Sequence, residues 1–474
     1  MNSRPLVVDL DGTLLRSDML IESSFAYLKA APHRFASPLI WLAKGGKSTL
    51  KTELAAATDI DVTVLPYDPQ VVAWLKEERA AGRSLVLATA SHKRYAEAIA
   101  NHLGLFDKIF ATDAGTNLSA HRKRDTLIAE FGESNFDYVG NSHDDIPVWQ
   151  AAANAYVVNP SSSVERAARK LGNVANVIKS SPSIISTWPK SLRIHQWLKN
   201  LLIFLPMLAA HQLLDTPKLI ESLLAFLTFG LCASSVYLLN DLLDLEDDRH
   251  HPTKCRRPLA SGSMPLMVGI SLFPFCLISA FAMAMLFLPI RYIAVLIGYY
   301  VLTLAYSMYL KRFVMVDVVV LAMLYTTRII AGATAVQVMP SFWLLAFSMF
   351  IFLSLAFVKR YAELHSMKNR GVKQSRRRGY IPDDLPLVSS LGSASGYLSI
   401  LVLALYIQDS NTARLYHHPQ WIWLVCPLLL YWISRIWIIT HRGVMHDDPI
   451  VFAARDKTSI IVVLICAIIF WLAI

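Results

Sequence analysis

Apolar positions along the 474-residue chain change their pattern once. Up to about residue 190 they form short runs set among charges, such as LVV at 6–8, LVLA at 85–88 and YVG at 138–140. Runs of this kind predict the buried strands of an α/β domain. From about 198 the apolar stretches are long enough to cross a bilayer. Nine spans are expected, near 198–214, 219–240, 266–288, 291–309, 313–338, 342–358, 387–407, 421–440 and 459–474. The predicted organisation is an α/β domain over 1–160, a Ser- and Pro-marked linker with one short helix over 161–190, and an all-α polytopic membrane domain over 191–474.

Charge gives the spans a direction. With the N-terminus inside, loops 241–265, 310–312, 359–386 and 441–458 face the cytoplasm and hold about seventeen Lys and Arg, against about three on the other side. The net charge of +10 is mostly this asymmetry. Its basic residues sit at membrane edges, so no nucleic-acid partner is expected. The opening MNSRPLVVDLDGT has no basic stretch followed by an uninterrupted apolar core, which predicts no signal peptide and places the α/β half in the cytoplasm, beneath an inner (plasma) membrane. Of five Cys, four lie inside apolar spans and Cys255 in a polar loop, without CxxC spacing, so neither a disulfide framework nor a zinc site is expected.

In LVVDLDGTLL (6–15) a β-type run ends in Asp9 and Asp11, followed by Gly12, which lets the chain turn sharply at the edge where open α/β sheets place their sites. Paired acids can divide labour, one attacking phosphorus or holding a metal while the other handles a proton. Further along come LVLATAS (85–91), HRKRDTL around Lys123, and the acid-rich YVGNSHDDIPVW (138–149). In this order the stretches resemble the haloacid dehalogenase (HAD) superfamily of phosphatases. The resemblance implies a Rossmannoid α/β fold with a mostly helical cap at about 18–80. It makes Asp9 the nucleophile and Asp11 the general acid/base, gives phosphoryl binding to Thr89 and Lys123, and puts Mg²⁺ among Asp9, Asp11, Asn141 and Asp145. Where the family carries an acid, Asn141 supplies a neutral oxygen, with Asp144 nearby as a compensating charge. KGGKST (44–49) is no phosphate-binding P-loop: Trp41 stands where the first glycine belongs and no strand precedes it.

At the inner end of the second span the chain reads NDLLDLEDDRHHPTKCRR (240–257). On a helix Asp241, Asp244 and Asp248 share an arc of roughly 60° along roughly 10 Å of axis. Such a stripe repels itself unless cations sit within it, and it suits Mg²⁺ carrying a substrate's phosphates. N-D-x-x-D-x-x-x-D with H-P-x-K-x-x-R-P behind it resembles the first aspartate motif of the UbiA superfamily of intramembrane prenyltransferases. The resemblance implies Mg²⁺ on the acids and a bound diphosphate, with Asn240 orienting ligands and His251, Lys254 and Arg257 as counter-charge.

That superfamily carries a second acid cluster at the end of the sixth span, where this chain reads AFVKRYAELHSMKNRG, with Lys359, Arg360 and Glu363. A basic site there argues for a second phosphate bound directly by cations. LRIHQWLKN (192–200), the aspartate stretch, YSMYLKR (306–312), VKRYAEL (358–364) and RGVMHDDPIVFAARD (442–456) together resemble the decaprenyl-phosphate phosphoribosyltransferase branch. The resemblance implies phosphoribosyl diphosphate and polyprenyl phosphate as partners, with membrane lipid around them and a homo-oligomer left open. Its product is polyprenyl-phosphoryl ribose 5-phosphate, a precursor of lipid-linked ribose or arabinose for envelope glycans, from which the HAD-like half is expected to remove the 5-phosphate. Tyr306, Lys311, Arg442, Asp447 and Asp448 are further candidates. Lys199 reads as a snorkelling anchor, and Arg328, in mid-span, should face the interior. Competing readings are prenylation of an aromatic acceptor beside a regulatory HAD-like module, and a phosphatase that clears a soluble metabolite.

Overall fold

The computed structural model describes residues 4–113, 117–180, 184–371, 379–409, 416–445 and 448–473. The chain divides into two compact units, 1–191 with 238–272, and 192–237 with 273–474.

The first unit is built on a six-stranded parallel sheet in the order β3-β2-β1-β4-β5-β6. Its strands are β1 (Leu6–Val8), β2 (Leu85–His92), β3 (Lys108–Thr112), β4 (Asp137–Gly140), β5 (Ala155–Val158) and β6 (Val174–Ile178). β1 pairs with β2 through Val8↔Leu87 and with β4 through Val8↔Val139. Strand order reverses between β1 and β4, so the crevice at their carboxyl ends is where a site belongs. Both sheet faces are covered. Leu6, Val8, Leu85 and Leu87 pack on one side, and Val7, Val86, Tyr138 and Trp149 on the other, which is why these strands read as continuous apolar runs.

Two expectations change here. The stretch expected to be linker supplies a helix (Ser162–Arg169) and strand β6, whose Val177 and Ile178 pair with Val157 and Val158, so the sheet extends past residue 160 to Ile178. The stretch 18–80, expected to be a cap, is not uniform. Helices α1 (Met19–Ala30) and α2 (Ser37–Ala57) share a small apolar cluster of Tyr27, Leu50 and Leu54, whereas α3 (Pro69–Ala80) buries Val71 and Leu75 in the core beside Leu6 and Val8, and so is a layer helix. Gly45 and Gly46 kink α2 in its middle, and the element directly before α2 is a 3-10 turn, Pro32–Arg34, rather than a strand.

The second unit is helical. Among the described residues seven helices are long and apolar enough to cross a membrane: Thr216–Leu243, Leu266–Phe287, Ile290–Met308, Val316–Ala335, Phe342–Asn369, Pro382–Gln408 and Pro419–His441. Some of their residues near 238–272 fall in the first unit. The other two expected spans do not qualify. The segment at 198–214 is a tight 3-10 helix, Ile194–Phe204, followed by a short helix, Leu205–Ala209; it buries Lys199 and Asn200, polar groups that need protein partners. The last apolar helix, Lys457–Ala473, is shorter than the seven. Helices Leu266–Phe287 and Ile290–Met308 carry exposed Phe275, Ile278, Met285, Leu286 and Ile290, side chains suited to acyl chains.

Candidate active sites

β1 delivers the buried Asp9 to the sheet edge, where its amide donates to the Val139 carbonyl at 3.0 Å. The turn that follows needs Gly12. Its φ is +76°, and a Cβ there would lie 2.1 Å from Asn141 Nδ2. From the helix Ala120–Phe131, Lys123 enters the same crevice and is buried. Its ammonium donates to Asp9 Oδ1 at 2.7 Å and to the Tyr138 hydroxyl at 2.9 Å. Tyr138 in turn donates to Asp145 Oδ1 at 2.8 Å. The other oxygen of Asp145 accepts from the amides of Asn141 and Ser142 and from the Ser142 hydroxyl, at 2.9, 3.0 and 3.1 Å. Asp145 therefore spends its lone pairs shaping the loop that presents Asn141, while Asp144 lies exposed in the same turn. Asp11 accepts from the Met19 amide at 2.9 Å and from the Ser91 hydroxyl at 2.5 Å. Thr89 is buried, and its hydroxyl accepts from the Ser91 amide at 3.0 Å.

Burial pushes the Asp9 carboxyl up to about 7, partly countered by Lys123 and reinforced by Asp145 and Asp11. Burial also raises Asp11, to about 6, with Asp18 adding to it. Burial opposes the Lys123 charge, but Asp9 and Asp145 hold its pKa above the ordinary value. Among the described residues no group of three or more His, Cys, Asp and Glu gathers as a metal site. A magnesium ion here would rely on Asp9, the Asn141 amide oxygen and water. That donor set fits, because Lys123 engages only Oδ1 of Asp9 and the Asn141 amide oxygen accepts a long hydrogen bond, from the Thr13 hydroxyl at 3.3 Å, that leaves it a lone pair.

Three contributors escape sequence reasoning. Tyr138 reads as a strand residue, Ser91 as the tail of a strand, and Lys51 as a surface lysine of the cap. Lys51 instead reaches down from α2 to the Ala90 carbonyl at 2.7 Å and Asn117 Oδ1 at 3.3 Å. Only its neighbours in space reveal it.

The aspartate stretch lies in the first unit. It is no single helix: Thr216–Leu243 ends before Asp244, which stands at the head of a new short helix, Leu245–His250, without a side-chain capping bond. Asp241 and Asp248 are buried and converge on one nitrogen of Arg257, at 3.0 and 2.5 Å from Nη1. Burial raises the Asp248 carboxyl and Arg257 pulls it down, with burial the larger effect. Two carboxylates meeting on one cation are a fit for Mg²⁺, which takes one or two carboxylates plus substrate phosphates. Asn240, Asp244, His251 and Lys254 lie half-buried around them.

The basic cluster lies in the second unit. Lys199 and Lys359 both contact Asp448 Oδ2, at 2.7 and 3.1 Å, and the Tyr325 hydroxyl lies 3.0 Å from each Asp448 oxygen. Although burial opposes it, the two ammonium groups hold the Asp448 carboxyl well below the usual carboxylate range. Lys199 is thus a buried partner of Asp448, where snorkelling was expected. Arg360, only 1% exposed, is already matched: Asp317 lies 2.8 Å from its Nε, and Glu363 contacts Nη1. Tyr306 donates to the same Asp317 at 2.8 Å. Arg360 is therefore fully matched, with two carboxylates on one guanidinium, whereas Lys199 and Lys359 share a single carboxylate.

Arg328 faces inward as expected. It donates from Nε to Asn200 Oδ1 at 3.0 Å and lies within 5.2–5.6 Å of the rings of Phe229, Tyr299 and Tyr325, so it buttresses the tyrosine that holds Asp448. Lys311 is half-buried and Arg442 exposed. Asp447 lies outside the described residues.

The model of the UbiA prenyltransferase family matches residues 201–455, and that of haloacid dehalogenase-like hydrolases matches 6–150. The chain is 38% identical over 460 residues to the uncharacterized protein y4nM of Sinorhizobium fredii, covering 96% of this chain and 88% of that one. It is 34% identical over 283 residues to the decaprenyl-phosphate phosphoribosyltransferase of Mycolicibacterium smegmatis, covering 58% of this chain and 88% of that one. Among solved structures, a UbiA homolog from Archaeoglobus fulgidus bound to GPP and Mg²⁺ aligns with 60% of this chain and 99% of its own, at 16% identity and a TM-score of 0.47.

Proposed function

Because the chain belongs to the UbiA prenyltransferase family and carries a haloacid dehalogenase-like hydrolase domain ahead of it, we propose that it transfers phosphoribose from phosphoribosyl diphosphate to a polyprenyl phosphate and then removes the 5-phosphate. The observation that carries this reading is the sharing of Asp448 by Lys199 and Lys359. Two ammonium groups with one counter-charge suit a phosphate held without metal, and the sharing falls where a prenyl-diphosphate enzyme would present acids. The likeness to the M. smegmatis decaprenyl-phosphate phosphoribosyltransferase supports a phosphoribosyl transfer.

In the transfer, an oxygen of the lipid phosphate bonds to the anomeric carbon of ribose as the bond from that carbon to the diphosphate breaks. The nucleophile is already an anion, so the protein's work is alignment and stabilisation of charge on the leaving group. Asp241 and Asp248, with Asp244 and Asn240, would hold Mg²⁺, which when bound supplies positive charge to the diphosphate. Arg257, Lys254 and His251 add cationic donors, while Lys199 and Lys359 hold the 5-phosphate. Both reactions are assigned to the cytoplasmic face of the inner membrane, where the basic loops point.

In the hydrolysis, Asp9 attacks phosphorus through Oδ2, since Lys123 occupies Oδ1. Asp11, whose raised pKa keeps part of it protonated near neutrality, gives a proton to the departing sugar oxygen. It then takes one from the water that opens the aspartyl phosphate. Lys123 and Thr89 steady the phosphoryl oxygens. Joining the sites on one chain raises the local concentration of the intermediate.

Membranes containing the protein should convert labelled phosphoribosyl diphosphate into a lipid-linked ribose, and the Asp9→Asn protein should stop at the 5-phosphate lipid. Turnover with a prenyl diphosphate and an aromatic acceptor, and none with phosphoribosyl diphosphate, overturns the proposal.

A further inference from the structure

The aspartate segment packs against the loop that follows the phosphatase nucleophile, and both belong to the first unit. Its central contact is a buried fork. Glu22, in the first turn of α1, accepts from Arg249 Nη1 at 3.1 Å and Nη2 at 2.6 Å, with side chains 6% and 5% exposed. Arg249 Nε donates to the Ala260 carbonyl at 3.0 Å, and the Ser17 hydroxyl donates to Glu22. More exposed pairs flank the fork, Lys29 with Asp247 at 2.7 Å and His250 with Asp61 at 3.0 Å. Gly262, at φ +68°, comes so close to Arg16 that a Cβ would lie 2.8 Å from its carbonyl oxygen. The fit is backbone against backbone.

Each end of the fork adjoins a site. Arg249 follows Asp248, which shares Arg257 with Asp241. At the other end, the Ser17 carbonyl accepts from the Gly12 amide at 3.1 Å, and the Met19 amide holds Asp11 at 2.9 Å. A bidentate Arg–carboxylate pair fixes orientation as well as distance, so a shift of helix Leu245–His250 must either carry Glu22 along or break two charge-assisted hydrogen bonds.

We propose that Glu22 and Arg249 are positioning residues that couple the two sites, so that filling the aspartate segment slows the phosphatase. Arg257 would leave its place between Asp241 and Asp248 when those acids take up Mg²⁺ and a diphosphate. Helix Leu245–His250 then moves, and the loop carrying Ser17 and Met19 loosens its hold on Asp11. With Arg257 between the acids, as the structure has it, Asp11 is held by Met19 and Ser91, the arrangement suited to proton transfer. Dephosphorylation is thereby timed to the interval when the aspartate segment holds no diphosphate. The inference rests on reading that segment as a diphosphate site.

The test uses the full chain in detergent, p-nitrophenyl phosphate as phosphatase substrate, and methylenediphosphonate with Mg²⁺ as a probe that cannot be hydrolysed. The probe should lower kcat about fivefold or more, the lower end of ordinary coupling between sites. Simple competition at Asp9 would raise KM alone. In Arg249→Gln the basal rate should persist and the kcat response vanish, and in Asp248→Asn the response should vanish with the probe's calorimetric binding. Hydrogen exchange over residues 17–22 of the unsubstituted protein should quicken when the probe binds, a readout that needs no variant to fold. Binding that disappears in Asp248→Asn, with neither kcat nor exchange responding, overturns the coupling and leaves the diphosphate site standing. Absence of any binding overturns both.

Discussion

The ammonium of Lys123 lies 2.7 Å from Asp9 Oδ1 and 3.7 Å from Asp145 Oδ1, so one buried cation ties Asp9 to the loop that presents Asn141. Lys123→Met leaves two buried carboxylates without their counter-charge. Removing one partner of such a cluster costs about 3–5 kcal/mol. The variant should unfold at a clearly lower temperature and hydrolyse p-nitrophenyl phosphate about a thousandfold more slowly, as when a donor aimed at transition-state charge is lost. A rate within tenfold of the parent would take Lys123 out of the site.

The raised carboxyls of Asp9 and Asp11 set a pH dependence for the metal-free protein. Both stand above the ordinary carboxylate value of about 4, near 7 and 6 respectively. Their contribution to stability is full below pH 4 and is lost as pH rises through 6 to 7. Without metal the unfolding temperature of the full chain should therefore fall between pH 5 and 8. Magnesium binds the ionised forms, so its stabilising effect should be larger at pH 8 than at pH 5.5. Thermal scans at both pH values, with EDTA and with Mg²⁺, read this directly, and an equal metal effect at the two values contradicts it.

Asn141→Asp places a full charge in the loop that packs on Gly12, where the family carries an acid. Mg²⁺ should bind about tenfold tighter, equivalent to ~1.4 kcal/mol, as measured by calorimetry on the Asp9-intact chain. Unchanged affinity would mean that residue 141 does not face the ion.

Asp448→Ala leaves the buried Lys199 and the half-buried Lys359 with no shared carboxylate, and should lower stability in detergent by about 3–5 kcal/mol, chiefly through Lys199. Lys359→Met is the gentler probe. It should raise KM for phosphoribosyl diphosphate at least tenfold while hydrolysis of p-nitrophenyl phosphate stays at the parental rate. A KM within twofold of the parent would argue against a phosphate at Lys359.

Much of this was legible in the order of residues. The apolar runs at 6–8, 85–88 and 138–140 are strands β1, β2 and β4, because strands covered on both faces must be apolar throughout. β6 was hidden: its VANVI lies between Gly172–Asn173 and a Ser–Pro stretch, and edge strands with a polar face do not announce themselves. The acid stripe was visible as spacing, but its break at Asp244 was not, since helix continuity there depends on tertiary contacts. At VKRYAEL the sequence marks both cations alike. Only packing separates Arg360, matched by Asp317 from another helix, from Lys359, which shares its anion. The role of Lys199 was unreadable for the same reason, as its partner Asp448 is 249 residues away.

That sharing has a further consequence. Lysine side chains are among the most costly to immobilise, at about 1.5–2 kcal/mol of rotamer entropy each. Here both chains are fixed by folding, one acceptor holding the pair at 2.7 and 3.1 Å. An anion arriving beside them meets donors that have already lost their freedom, so little ordering is left to oppose its capture.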